Sequence, residues 1–454
     1  LVHEPILRRL SQAEDERRTR SGLKRMLRAS GPRRLGLWSA TALVIANMIG
    51  AGIFTTSGFA LADLGSPAPV LLAWLVGGLF ATCGALCYGA LARRIPISGG
   101  EYTFLSRTIH PLAGFLAGWV SLLAGFTAPI AVAALGLQAY LADAVGGSFP
   151  REWIGTSVIL AAGLMHGLRV GAGVALQNAA VALKLLLIVI FLGIGVSRID
   201  TAAMGPTSSP TAGFELTAFA MTLIWVSFAY SGWNAAVYVA GEIEHPERNL
   251  PRSLLLATGA TTLLYLALNA VFLYSAPATE LAGKAEIGAV AAQALGGDGL
   301  RRLVSGLVAL ALFTSISSMI MAGPRVYAQM AEDGLLPKRF AMQGAVPATA
   351  VAAQVLLAIV VVWVAGLATL LGYVGFTLNL CAAATVAGLL RLRRREGAVH
   401  VPIVGYPWAP GIFLILSLGA TSLMAVRDPR IAAAGILTGA VGVPIYYWLG
   451  RVRG

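Results

Sequence analysis

Long apolar stretches, each separated from the next by a short polar connection, dominate this chain. Runs of about 17 to 25 apolar residues are the length a helix needs to cross a bilayer. Twelve can be marked, at residues 36–62, 69–92, 112–141, 153–169, 173–196, 215–240, 253–275, 301–330, 347–366, 368–390, 407–426 and 430–449. The pattern predicts an all-α membrane protein with 12 transmembrane helices. No connection is long enough for a separate soluble domain, so residues 36–450 read as a single transmembrane domain. The longest outer connection, APATELAGKAEIGAVAAQALGGDG between the seventh and eighth runs, predicts one or two short helices over the outer mouth.

An even number of spans puts both termini on one side, and basic residues choose that side. With cytoplasmic termini the inner side carries 25 of the 33 Lys and Arg residues and the outer side seven: Arg151, Arg198, Lys284, Arg301, Arg302, Arg427 and Arg430. Residues 1–35 hold ten Lys and Arg and no apolar core of signal-peptide length, and read as a basic cytosolic tail. The expected location is the cytoplasmic (inner) membrane, with the lipid bilayer as solvent.

Composition agrees: 57% of residues are hydrophobic, 12% are charged and mean hydropathy is +0.78. The net charge of +13 is explained by topology and anionic lipid, which removes the case for nucleic acid. Cys83, Cys87 and Cys381 all lie in apolar runs and read as packing residues, with neither a disulfide framework nor a paired zinc site. The five histidines are scattered, form no metal motif, and only His166 falls within a run. No metal, cofactor or enzymatic constellation is expected.

Lys184 is the exception to the apolar pattern. It lies about ten residues from either end of the fifth run, roughly 15 Å, too deep to snorkel to a headgroup. An ammonium in hydrocarbon costs about 3 kcal/mol even on the mildest scale. Lys184 must therefore face protein or a wet cavity.

Two runs also carry interruptions at mid-depth. Asn47-Met48-Ile49-Gly50-Ala51-Gly52-Ile53-Phe54 places two glycines in the first run, each weakening a helix by about 1 kcal/mol relative to alanine. Close packing of small residues through Ala46 and Gly50 is the alternative for that run alone. The sixth run repeats the feature in Phe228-Ala229-Tyr230-Ser231-Gly232-Trp233-Asn234. Interruptions five spans apart are what an inverted five-plus-five repeat produces, with freed amides to hold a carboxylate and freed carbonyls to hold an ammonium.

At these residues the chain resembles the amino acid/polyamine/organocation transporters, especially the bacterial and L-type amino acid permeases. MIGAGIF at 48–54 resembles their first-span motif, FAYSGWN at 228–234 their sixth-span motif, and GEIEHPERNLPRSL at 241–254 the segment that follows. PISGGEYTFL at 96–105 is similar to their inner loop after span 2, and PRVYAQMAEDGLLP at 324–337 to the end of their span 8. The resemblance implies the LeuT fold: a 5+5 inverted repeat plus two C-terminal helices, with helices 1 and 6 broken.

The resemblance also implies site residues. Ile49, Gly50, Ala51 and Gly52 would form the first-span side of a substrate site, with amides of the last three on the substrate carboxylate. Phe228, Ala229 and Ser231 would offer carbonyls to the α-ammonium, Gly232 would permit the unwound turn, and Phe228 would be an aromatic gate. Ala51, Ser231 and Met319 would wall the side-chain pocket. Lys184 falls where many relatives place a lysine in lieu of a sodium ion, with Ser315, Ser317 and Ser318 as candidate hydroxyl partners. Two departures count: Asn234 stands where arginine–agmatine exchangers carry an acidic residue, and the loop ADAVGGSFPREW lacks the cysteine that ties animal relatives to a heavy chain.

No Asp or Glu lies in the centre of any run, so a pocket there would lack a counter-charge for a cationic side chain. With Lys184 at the ion position, the resemblance implies sodium-independent transport of neutral L-amino acids by alternating access, as proton symport or exchange. The alternative is a cationic amino acid or polyamine permease of the same fold. Glu242, Glu244, Glu247, Arg248 and Arg252, joined by Glu101 and Arg325, read as an inner-surface charge network.

Overall fold

A computed structural model describes residues 35–145, 152–168, 170–198, 215–284, 286–344 and 346–451. Residues 1–34 of the basic tail and residues 146–151 of the cysteine-free loop lie outside the described residues. The first run is two helices, α1 (Leu37–Met48) and α2 (Ala51–Leu64), meeting at a 41° bend. α3 (Pro67–Arg94), the short connecting helix α4 (Glu101–Thr108) and α5 (Pro111–Val120) follow. α5 passes through a π-helical segment, Ser121–Thr127, into α6 (Ala128–Val145), a distortion that hydropathy does not signal.

α7 (Glu152–Leu168) and α8 (Val170–Arg198) lead to α9 (Leu216–Ala229), which stops at the expected interruption and resumes as a 3₁₀ segment, Ala235–Glu242. Then come α10 (Pro246–Leu273), the single turn α11 (Ala278–Leu281) and α12 (Ile287–Glu332), which is kinked at Gly296 and Gly297. α13 (Ala348–Val364), α14 (Leu367–Glu396), α15 (Trp408–Arg427) and α16 (Pro429–Arg451) complete the chain. Among the described residues there is no strand, only two isolated bridges, and eight helices are long and apolar enough to cross a membrane. Counting the bent α1–α2 pair as one span makes nine. This is a multi-pass helical membrane protein.

Burial separates the lipid face from the core within single helices. On α8, Leu183 and Leu186 are 49% and 56% exposed while Lys184 between them is 0% exposed, so the lysine points into protein. α3 and α10 pack against each other, α1 lies against α10 and α12, and α2 lies against α9. Trp74, Tyr230 and Tyr265 fill the seam between α3, the sixth-run break and α10, with ring centroids 5.0–5.8 Å apart.

The two ends of the bundle are closed differently. On the side of α11, the Gly283 amide donates to the Gly58 carbonyl at 2.7 Å, and a Cβ on Gly58 would collide with the Lys284 carbonyl oxygen. That connection therefore sits directly on α2. On the opposite side, the Leu35 amide donates to Glu242 and the Glu244 amide to Leu35, at 3.1 and 3.0 Å, clasping the start of α1 to the end of the 3₁₀ segment. Beside the clasp, Arg325 on α12 pairs with Glu242 at 2.7 Å, both side chains nearly buried. Of the expected charge network this pair forms, whereas Glu244, Glu247, Arg248 and Arg252 are exposed and Glu101 is directed elsewhere.

Candidate functional site

Both breaks converge on one cavity of about 120 Å³. Ile49 and Gly50 leave helical geometry between α1 and α2, and Gly232 adopts φ +94°, which favours glycine. Contact imposes a second demand. A Cβ on Gly232 would meet Asn47 at 2.9 Å, and one on Gly52 would meet Cα and Cβ of Ala229 at 2.7 Å, so the interrupted backbones touch. The hydroxyl of Tyr265 on α10 lies 2.6 Å from the Met48 carbonyl oxygen and 3.1 Å from that of Ala229, bridging the two breaks. Tyr265 was not among the residues expected from sequence. A lone tyrosine in TTLLYLALNA was the visible signal, but nothing in spacing tells which breaks it reaches.

Of the residues expected at a substrate site, Gly50, Gly52, Phe228, Ala229, Ser231, Gly232 and Met319 all line the cavity. Ala51 opens α2, but its side chain lies outside the described part. Ile49 is a correction: fully buried and absent from the cavity wall, it turns its carbonyl away to Lys184 Nζ at 3.4 Å.

The hydroxyl partners of Lys184 are also corrected. Its Nζ donates to Oγ1 of Thr314 at 2.9 Å, one residue before the expected serines. Thr314 in turn donates to the Ala311 carbonyl at 2.9 Å, which leaves its oxygen lone pair for the ammonium. Ser317 instead faces His166 at 2.8 Å, Ser318 bonds back to the Ser315 carbonyl, and Ser315 lines the cavity near Gly50. The helix phase decides this: residues 314, 315, 317 and 318 project at different angles, and only the register of α12 against α8 selects one. Lys184 thus ties α8 to α12 and to the first break, behind the cavity wall rather than in it.

The cavity does hold a carboxylate, contrary to the expectation from the central stretches. Glu101 opens α4, a connecting helix, yet it lines the cavity and is 4% exposed. Its Oε1 accepts from Asn234 at 2.6 Å and Tyr88 at 3.0 Å, and its Oε2 accepts from Tyr238. Burial pushes the Glu101 carboxyl above its ordinary value, against the opposing pull of these hydrogen bonds. Sequence reasoning missed this because α4 folds back against the membrane helices.

A cavity walled by both helix breaks and by neighbouring helices, inside a multi-pass membrane protein, is the architecture of a small-molecule transporter. The chain belongs to the amino acid permease family, which it matches over residues 35–446. It is similar to human Asc-type amino acid transporter 1, 28% identical over 430 residues, covering 91% of this chain and 81% of that protein. Human large neutral amino acids transporter small subunit 2 is 27% identical, with 91% and 79% covered. The serine/threonine exchanger SteT of Bacillus subtilis is 27% identical over 426 residues, with 91% and 96% covered. The family expected from the five sequence motifs is therefore the right one.

Proposed function

We propose that this protein carries neutral L-amino acids across the cytoplasmic membrane by alternating access, independently of sodium, as a proton symporter or an exchanger. The observation that carries the reading is the junction of the two breaks: Gly50, Gly52, Ala229 and Ser231 share one small cavity. Interrupted helices there supply amide and carbonyl groups suited to the carboxylate and ammonium of a zwitterion. Relatives named for neutral amino acids and for serine/threonine exchange support the same substrate class.

The LeuT arrangement of twelve spans belongs to this proposal. α7, α13, and α9 continued by its 3₁₀ segment would add three spans to the nine long enough by themselves. Both termini would then be cytoplasmic, the clasp at Leu35 would lie on the inner side, and α11 would lie over the outer mouth. No disulfide-linked heavy chain is expected. Lys184 already places a positive charge beside the first break, which leaves little need for a metal cation there.

Glu101 in the cavity wall favours the second reading, a permease for cationic amino acids or polyamines. Its oxygens are engaged by three donors of this chain, so the neutral reading stands ahead. Uptake of labelled L-alanine and L-leucine by proteoliposomes tests both. Uptake only in vesicles preloaded with unlabelled substrate identifies an exchanger, and accumulation in empty vesicles under an inward proton gradient, lost when that gradient is dissipated, identifies a symporter. Saturable uptake of arginine or putrescine without competition by alanine or leucine would overturn the neutral reading.

A further inference from the structure

Glu101 is the carboxylate shared by three parts of the molecule, which the Gly99 amide on the Tyr238 carbonyl at 3.2 Å and the Tyr88–Trp233 ring contact at 4.7 Å also hold together. Its own helix, α4, is a connection; Tyr88 comes from α3; Asn234 and Tyr238 come from the end of the sixth-run break and the 3₁₀ segment. These groups line or adjoin the end of the cavity nearest the Leu35 clasp, and Asn234, Tyr238 and Glu101 are themselves part of its wall. Among the described residues, no cationic side chain is within ion-pair distance of the carboxylate. A buried carboxylate neutralised by hydroxyl and amide donors alone sits in a balance that one proton upsets.

The surrounding charges are committed elsewhere. Arg325 on α12 is held by Glu242, and Asp333, the residue that caps the end of that helix, accepts from Tyr102 at 2.5 Å. His110 caps α5 by accepting from the Leu112 amide, and Arg107 on α4 lies toward Tyr102. α14 brings the Cys381 thiol toward Glu101, with its basic run Arg391, Arg393, Arg394 and Arg395 at the far end. Tyr88 and Tyr238 are the titratable groups in direct contact.

We propose that Glu101 is a proton-binding residue of the transport cycle, whose protonation on Oε2 releases Tyr238 and frees the inner end of the cavity to open. This role rests on the transport reading, and the inner end is the one on the cytoplasmic side in the proposed orientation. The ionised carboxylate accepts all three hydrogen bonds and latches the 3₁₀ segment to α3 and α4. A proton on the Oε2 lone pair that now receives the Tyr238 hydroxyl hydrogen cannot share that position with it. The tyrosine must then rotate, turning from donor to acceptor, and the latch loses its charge-assisted bonds. The proton comes from water reaching the cavity wall and returns there when the latch re-forms, so no other reactant is needed. Burial, which favours the neutral acid, acts in the direction that makes this proton available.

Two measurements test it. In proteoliposomes, wild-type exchange should rise as lumenal pH falls, and Glu101→Gln, which keeps an acceptor oxygen for Asn234 and Tyr88, should remove that dependence. Tyr238→Phe deletes one donor to the ionised form and should move the midpoint to higher pH by about one unit, a tenfold change in proton affinity. Infrared pH titration of the purified protein in lipid, with no substrate, reads the proton itself. The wild-type minus Glu101→Gln difference should contain a protonated-carboxyl band, and that band should appear at higher pH in Tyr238→Phe. If the band is missing, or if Glu101→Gln keeps the wild-type pH profile, the proposal fails even for a chain that transports alanine. If Glu101→Gln does not fold, an unmoved midpoint in Tyr238→Phe overturns it alone. The infrared result stands even where no amino acid is carried, so the proton site and the transport reading fail separately.

Discussion

Gly52→Ala tests the claim that the two helix breaks meet at backbone contact. The added Cβ would sit 2.7 Å from both Cα and Cβ of Ala229, and ordinary contact begins at 3.4 Å. One of the two backbones must therefore retreat by about 0.7 Å, and no side-chain rotation relieves a clash with a Cα. Overpacking of this kind costs about 1–3 kcal/mol. The displaced groups are those that Tyr265 holds at 2.6 and 3.1 Å, and a 0.7 Å shift lengthens at least one of these bonds beyond a good hydrogen bond. The expected result is a lower melting temperature in detergent together with at least a tenfold loss of substrate exchange. Gly193→Ala on α8 is the control: a Cβ there meets nothing within 4 Å, so the same change in mid-helix should be neutral or stabilise by about 0.5–1 kcal/mol. If Gly52→Ala melts and transports like Gly193→Ala, the breaks are not in contact and the cavity is not built as described.

Other perturbations separate the supports of the site. Lys184→Met keeps the length of the side chain but removes the charge and the bonds to Thr314 and Ile49; a hydrogen bond to a charged group is worth about 1.5–3 kcal/mol, so exchange should fall about tenfold to a hundredfold. Full uptake with an unchanged response to gradients would remove Lys184 from the coupling machinery. Tyr265→Phe should raise the KM for substrate about tenfold with little change in expression, because the two break carbonyls lose their common hydroxyl; an unchanged KM would make that bridge structurally idle. Arg325→Gln leaves Glu242 buried without its partner and should destabilise by about 3–5 kcal/mol, with much of the loss recovered in the Glu242→Gln/Arg325→Gln double variant. Equal melting of single and double variants would refute that account.

The membrane class, the positions of the runs and both interruptions were legible along the chain. Apolar length is a local property, and so is the weakness of helix at Gly50, Gly52 and Gly232. Family membership was legible for the same reason, since five ordered motifs are strings. Lys184 was marked by its depth alone, because the cost of burying an ammonium does not depend on which groups receive it.

Tertiary structure decided everything that depends on helix phase and on chain segments folding back. Thr314 rather than Ser315, Ser317 or Ser318 meets Lys184 because about 100° of rotation separates successive residues, and only the packing of α12 on α8 fixes which one faces the lysine. Ile49 contributes its carbonyl to that lysine and not a surface to the cavity. Tyr265 bridges two breaks that lie more than 170 residues apart in the chain, through contacts with Met48 and Ala229. Glu101, counted as a loop carboxylate, became part of the cavity wall once α4 packed against α5 and α14. Hydropathy records how much each residue prefers water, averaged over a window, whereas these pairings depend on direction, which exists only after the helices have packed.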